Sequence, residues 1–221
     1  YEKEENIILS EEQKEAVKAA VEENLLIITG GPGTGKTTII KAIISILERK
    51  GSKLELAAPT GRAAKRMTEA TGHDARTIHR MLEIGYMDES RELSFNRNAE
   101  NPLDADIIII DEMSMVDTIL MGHFLKAVNP GTRLIMLGDI DQLPSVGPGN
   151  ILKSLISCEK IKSIRLHYIF RQTGESNIIT NAHKINTGER PVYNEKENDF
   201  FLMKRRNTKD ILDTLIDICA N

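Results

Sequence analysis

Gly30-Gly31-Pro32-Gly33-Thr34-Gly35-Lys36-Thr37 follows an apolar run at residues 25–29 and precedes an amphipathic stretch at residues 37–50. It matches G-x-x-x-x-G-K-[ST] in the strand-to-helix setting that this pattern needs. Glycines let backbone N–H groups turn inward around β- and γ-phosphates. The N-terminus of the following helix favours negative charge. Lys36 supplies a point charge, and the Thr37 hydroxyl is placed to ligate Mg²⁺. Gly31, Pro32, Gly33, Thr34, Gly35, Lys36, Thr37 and Thr38 are therefore the predicted nucleotide-binding set. The alternative, a glycine-rich turn, is disfavoured by the strand before and the helix after.

Working outward, short apolar runs alternate with longer amphipathic ones. Residues 25–29, Leu54–Ala58, Ile107–Ile110, 134–137 and 164–166 read as strands. Residues 37–50, 61–70, 116–128 and 150–158 read as helices. This order predicts βαβ units, hence an α/β fold with a mostly parallel sheet and helices on both faces. The four consecutive isoleucines at 107–110 suit a strand covered on both sides. Residues 82–102 break the rhythm: Gly85, Tyr86, Leu93 and Phe95 flank a charged stretch at 87–92, which predicts a small hairpin-like insertion within 83–103. After Gly188 the chain is polar through Asn198, then strand-like at 200–203 and helical at 208–219. This tail either closes the domain or leads into another.

The 221 residues suffice for one sizeable α/β domain, and 40% hydrophobic with 28% charged residues places the chain among soluble globular proteins. No stretch approaches the roughly 18 uninterrupted apolar residues of a membrane span, and the acidic, polar residues 1–6 are no signal peptide. Tyr1 in place of an initiator Met points to a chain excised from something longer. Cys158 and Cys219 are predicted to be reduced, buried thiols of a cytoplasmic protein. The net charge of −4 argues against a general nucleic-acid sponge, yet Arg62, Lys65, Arg66, Arg76 and Arg80 form a local basic strip against only Glu69 and Asp74.

Further motifs follow the predicted strands. Asp111-Glu112 ends the isoleucine run: the Asp carboxylate would hold the Mg²⁺ shell and the Glu would take a proton from attacking water. Gln142, within Gly138-Asp-Ile-Asp-Gln-Leu-Pro-Ser145, is placed to bond a γ-phosphate or that water. Arg171, in Phe170-Arg171-Gln172, could stabilise transition-state charge, with a structural salt bridge as the alternative. All of these lie just beyond strand C-termini, the edge where open parallel sheets bind ligands. Gln13 has two open readings: with Ser10 it completes a capping box, or its amide reads an adenine edge. Pro59, Thr60, Gly61, Arg62 and Arg66, then Thr77, His79 and Arg80, form a phosphate-contacting strip suited to single-stranded nucleic acid. A solvated basic face is the alternative.

Taken together, GGPGTGKTT, APTGRAAKRM, TIHRML, DEMSMVD, GDIDQLPSVGPGNIL and FRQ resemble the motifs of RecD-like superfamily 1 DNA helicases. The resemblance runs from about residue 8 to residue 201. It implies a RecA-like first motor domain over 1–221, with ATP and Mg²⁺ as cofactors. It also implies single-stranded DNA as the track and 5′-to-3′ translocation. Gln13 falls where such helicases read adenine, and the 85–98 insertion falls where a strand-separating hairpin would lie. A second motor domain, a partner in this family, would lie beyond Asn221, and other repair or recombination subunits are possible partners. The rival readings are an RNA helicase of the same superfamily and a nucleotide-dependent switch that does not translocate.

Overall fold

The computed structural model describes residues 1–86, 93–167, 176–193 and 199–220. A short helix α1 (Glu2–Glu5) and helix α2 (Glu11–Glu22) lead into strand β1 (Leu25–Gly30) and helix α3 (Lys36–Glu48). Strand β2 (Leu54–Ala58), helix α4 (Gly61–Thr71), strand β3 (Ala75–Thr77) and helix α5 (Ile78–Met81) follow. Strands β4 (Ile84–Tyr86) and β5 (Leu93–Phe95) precede strand β6 (Ile107–Ile110). A 3-10 turn (Met113–Met115), helix α6 (Thr118–Ala127), strand β7 (Arg133–Gly138), helix α7 (Ile151–Ile156) and strand β8 (Lys162–Leu166) complete the sheet.

The sheet has six strands in the order β3-β2-β6-β7-β1-β8, and every pairing in it is parallel. The isoleucine strand lies inside the sheet, pairing Leu54–Ala57 on one side and Arg133–Met136 on the other. Successive side chains of a strand face opposite ways. Ile107 and Ile109 accordingly enter the core with α2 and α3, while Ile108 and Ile110 enter the core with Phe124 of α6. Ile28 and Ile27 divide in the same way. Two covered faces explain why β1, β6 and β7 are continuously apolar rather than alternating.

Strand β3 was not expected. Three residues, one of them Arg76, are too short and polar to show a strand pattern. The strand exists because it pairs with β2, where Arg76 also forms an ion pair with Glu55. The helix expected over 116–128 forms as α6 and starts two residues later, because Asp117 caps it by accepting from the Leu120 amide at 2.8 Å. β4 and β5 pair antiparallel, with Ile84 opposite Phe95. Arg97 clasps their base: it bonds the Glu83 carboxylate at 2.8 Å and the Pro102 carbonyl at 3.2 Å. The Phe95 ring stands 4.5 Å from the His123 ring of α6 and 6.3 Å from the His79 ring of α5.

The chain divides into two compact units, Tyr1–Phe170 and Arg171–Asn221. Hydrogen bonds tie segments of the second unit to one another. Asn181 exchanges two 2.7 Å hydrogen bonds with the Val192 backbone, and Ser176 donates to Asp199 at 2.6 Å. It contains helix α8 (Asn177–Asn186) and helix α9 (Thr208–Ala220). Residues 200–203, read as strand-like, form no strand, since no ladder partner stands beside them among the described residues. The cysteines also differ from expectation. Cys158 is half-buried just beyond α7, and Cys219 is exposed on α9, which buries none of its residues. Among the described residues no helix is long and apolar enough to cross a membrane.

Candidate nucleotide-hydrolysis site

β1 delivers its chain end into the phosphate-binding loop with no room to spare. A Cβ on Gly30 would lie 2.7 Å from Thr34 Oγ1 and 2.9 Å from the Leu166 Cβ. Gly33 and Gly35 take φ of 81° and 85°, the left-handed region that glycine enters without strain. Thr34 is buried, and its hydroxyl donates to the Gly31 carbonyl at 2.9 Å, closing the loop on itself. The Lys36 ammonium lies inside the same loop, donating to the Gly30 carbonyl at 2.5 Å and the Gly31 carbonyl at 3.1 Å. Gly35 caps α3 without a side chain, so the first-turn amides of Lys36, Thr37 and Thr38 carry no side-chain cap.

Asp111 and Glu112 follow the end of β6. Thr37, Asp111 and Glu112 line one small cavity together with Arg66 and Met67 of α4. Glu112 has φ 57° and ψ 40°, a left-handed conformation costly for a side chain with a Cβ. Its amide donates to Asp111 Oδ1 at 2.8 Å, which ties the Asp111 carboxylate to the Glu112 backbone. Burial pushes the Asp111 carboxyl above the ordinary carboxylate range, opposed by the Glu112 amide, Lys36 and Arg66. Burial also pushes Glu112 up. The charges of Asp111 and Asp139 act in the same direction, while Lys36 and Arg66 pull it back.

A hydroxyl and a carboxylate are hard oxygen donors of the kind Mg²⁺ prefers. Among the described residues no group of three or more His, Cys, Asp or Glu forms a metal cage of its own. A Mg²⁺ shared with substrate phosphates needs only one or two carboxylates, so Thr37 and Asp111 fit that ion.

Asp139 is the site residue that the sequence reading passed over. It is 3% exposed, directly beyond β7, and accepts from the Asp141 amide at 3.0 Å. The strand-end rule that selected Asp111 would have selected it too. Thr29 on β1 accepts from the Ile140 amide at 3.1 Å, so the loop bearing Gln142 is fastened to the strand that bears the P-loop. Gln142 itself is exposed, and its Oε1 accepts from Ser114 Oγ at 3.5 Å, a long hydrogen bond. Arg171 lies outside the described residues.

Gln13 is 3% exposed and makes both connections open to it on its own side of the site. Its amide donates to Ser10 Oγ, and its side-chain carbonyl accepts from the Ser10 amide at 3.1 Å, which completes the capping box. Its Nε2 also donates to the Thr34 carbonyl at 3.1 Å, inside the P-loop. A side-chain amide has two donors and two acceptor lone pairs. One side-chain N–H and one side-chain lone pair are not engaged by these bonds.

Pro59, Thr60, Gly61 and Arg62 follow β2, while Thr77 ends β3 and His79 and Arg80 follow it, at one end of the sheet's C-terminal edge. Both threonines are helix N-caps: Thr60 accepts from the Ala63 amide and Thr77 from the Arg80 amide, each at 3.2 Å. Arg62, His79 and Arg80 are exposed. Arg76 is drawn off the strip by Glu55, and Lys65 faces Glu69 at 3.8 Å.

The chain is 40% identical over 188 residues to the ATP-dependent RecD2 DNA helicase of Deinococcus radiodurans, covering 85% of this chain and 25% of that protein. It is 39% identical over 169 residues to the RecBCD enzyme subunit RecD of Mycolicibacterium smegmatis, covering 66% of this chain and 30% of that one. A family model described as an AAA domain matches residues 13–148, a span that holds Gln13, the P-loop, Asp111-Glu112 and Gln142. The chain belongs to the AAA domain family, among the RecD-like helicases. The structure of the Pif1 helicase from Candida albicans resembles this RecD-like domain with a TM-score of 0.61 at 29% identity. That match covers 84% of this chain and 45% of the other. The RecD-like domain thus spans a quarter to a third of these two curated relatives, at 25% and 30%.

Proposed function

We propose that this RecD-like domain is the first motor domain of an ATP-dependent DNA helicase that moves 5′ to 3′ along single-stranded DNA in the cytoplasm. The observation that carries the reading is the convergence of Thr37, Asp111 and Glu112 on one cavity beside the P-loop, at the same sheet edge as the Thr60 and Thr77 caps. Lys36 and the uncapped amides of α3 hold the β- and γ-phosphates. Thr37 and Asp111 hold Mg²⁺, which when bound neutralises charge on the transferring phosphoryl group. Glu112 accepts the proton of the attacking water, and Gln142 bonds the γ-phosphate or that water. Gln13 holds the loop and presents its remaining donor and acceptor to adenine. Arg171 supplies charge to the γ-phosphate.

Single-stranded DNA runs over Pro59, Thr60, Gly61, Arg62, Thr77, His79 and Arg80. The β4–β5 hairpin, held to α5 and α6 through Phe95, stands beside that path and separates strands. A second motor domain closes on the nucleotide, and repair or recombination subunits are further partners. The relatives named as a DNA helicase and as a RecBCD subunit support this assignment.

The test is ATP hydrolysis by the full-length protein with and without single-stranded DNA, with RNA as the competing activator and Lys36→Ala as the control. DNA-stimulated turnover is expected. Lys36→Ala should reduce it on the order of a hundredfold or more, the effect of about 2.7–4 kcal/mol of lost transition-state stabilisation. Preferential activation by RNA would favour the RNA-helicase reading. Turnover indifferent to both nucleic acids would favour a switch.

A further inference from the structure

Arg62 and Arg66 are four residues apart on α4, and the sequence placed both on the DNA strip. The structure gives them different surroundings. Ala63, Arg66, Met67 and Ala70 line the cavity that also holds Thr37, Asp111 and Glu112, whereas Arg62 is not among its lining residues. Positions i, i+3, i+4 and i+7 form one helical stripe, and Arg66 is the charged member of it. Helical side chains lean toward the helix N-terminus. For α4 that end is the strand-end edge, where Thr60 caps the helix and β6 releases Asp111 and Glu112.

The charges of Asp111 and Asp139 act on Glu112 at this edge, opposed by the cations Lys36 and Arg66. Lys36 is committed to the P-loop carbonyls and, in turnover, to phosphates. A cation outside the phosphate cradle remains to hold the base in place.

We propose that Arg66 is a positioning residue of the hydrolysis site, aiming the Glu112 carboxylate across the shared cavity. It thereby links that base to the helix whose first turn, Thr60–Arg62, lies on the DNA path. The inference rests on the proposed ATPase reading. It gives one rigid element two ends: DNA bound at the cap of α4 sets the position of a side chain one turn further on, facing the base. DNA stimulation of turnover then passes through Arg66, while DNA grip does not.

The experiment compares Arg66→Ala, Arg66→Lys and Arg62→Ala in the full-length protein. It measures kcat and KM for ATP at saturating single-stranded DNA, basal kcat without DNA, and the salt dependence of oligonucleotide binding. Ala is the best helix former, so an exposed Arg66→Ala change leaves α4 intact. The expected result for Arg66→Ala is a kcat lower by about tenfold or more, as for a weakened general base. Its KM for ATP should stay near wild type and its log–log salt slope parallel to wild type. Arg66→Lys should recover part of the kcat. Arg62→Ala should make the slope shallower by about 0.7, the value for one phosphate contact on a single strand.

An Arg66→Ala protein with normal kcat overturns the proposal, whatever its slope. A lower kcat accompanied by a slope shallower by about 0.7 also overturns it, because Arg66 is then a track residue. If wild-type turnover proves indifferent to DNA, the motor reading fails separately. The Arg66–Glu112 link is then judged on the basal kcat ratio.

Discussion

The Gln13 side chain donates from Nε2 to the Thr34 carbonyl at 3.1 Å while its Oε1 accepts from the Ser10 amide at 3.1 Å. One buried amide thus joins the cap of α2 to the centre of the P-loop, residues separated by 21 positions in the chain. Gln13→Glu separates the two roles. A carboxylate serves the capping box equally well and suits a helix N-terminus. It has no donor for the Thr34 carbonyl. The helix should survive, with an unchanged far-ultraviolet circular dichroism spectrum. Nucleotide affinity should fall about fivefold or more, for a lost buried hydrogen bond of about 1 kcal/mol. Affinity equal to wild type in a fluorescent-nucleotide titration would show that the link does not shape the loop.

Asp111 and Glu112 are adjacent but differently constrained: Asp111 accepts the 2.8 Å hydrogen bond and Glu112 carries the left-handed backbone. Glu112→Gln should bind Mg·ATP nearly normally and hydrolyse it slowly, by about a hundredfold or more for a lost general base. Asp111→Ala should lose the Mg²⁺ dependence of nucleotide affinity. Single-turnover kinetics beside equilibrium binding checks both. A Glu112→Gln protein that fails to bind but hydrolyses what it holds would reverse the assignment.

The same cluster carries a stability cost. Burial holds the Asp111 carboxyl above its ordinary range, so its folded-state pKa exceeds its unfolded one. Ionisation therefore penalises the fold, and stability is lost as pH rises through that raised pKa. Asp111→Asn keeps the shape and the acceptor for the Glu112 amide but removes the charge. In metal-free buffer above the raised pKa, the variant should unfold a few degrees higher, at about 2–4 °C per kcal/mol for a chain of this size. The advantage should vanish below about pH 3.9, where the wild-type carboxyl is neutral in both states. Melting curves across pH give the answer, and a variant less stable than wild type at neutral pH would contradict it.

Gly147 and Asp117 are in closer contact than any side chain at position 147 would permit. A Cβ there would lie 2.1 Å from Asp117 Oδ2 and 2.8 Å from the Asp117 Cβ. Asp117 cannot swing aside without releasing the Leu120 amide it caps. Gly147→Ala should destabilise by about 1–3 kcal/mol, the usual cost of overpacking. Adding Asp117→Gly should restore most of that, since Gly at an N-cap costs only a few tenths of a kcal/mol relative to Asp. Denaturant melts of the two single variants and the double variant form the test. Independent, additive losses would mean that the two residues do not meet.

The sequence alone determined the elements whose signals are local. The P-loop was legible because its glycines, Lys36 and Thr37 act within eight consecutive residues between a strand and a helix. The buried strands were legible because a strand covered on both faces must be apolar at every position, as Ile107–Ile110 is. Tertiary structure alone decided what depends on neighbours far away in the chain. β3 is a strand only because β2 offers an edge, and residues 200–203 form none because no strand pairs with them among the described residues. Gln13 reads from the sequence as a cap or as a ligand-facing amide, and only the fold shows that this capping amide also bonds Thr34 in the P-loop. Arg62 and Arg66 look equivalent at helical spacing. The packing of α4 against β2, β3 and α3 puts Arg66, and not Arg62, into the cavity with Glu112. Periodicity fixes which residues share a face of a helix. What that face meets depends on how the sheet orders its strands, and that order is set by pairing energies summed over the whole sheet.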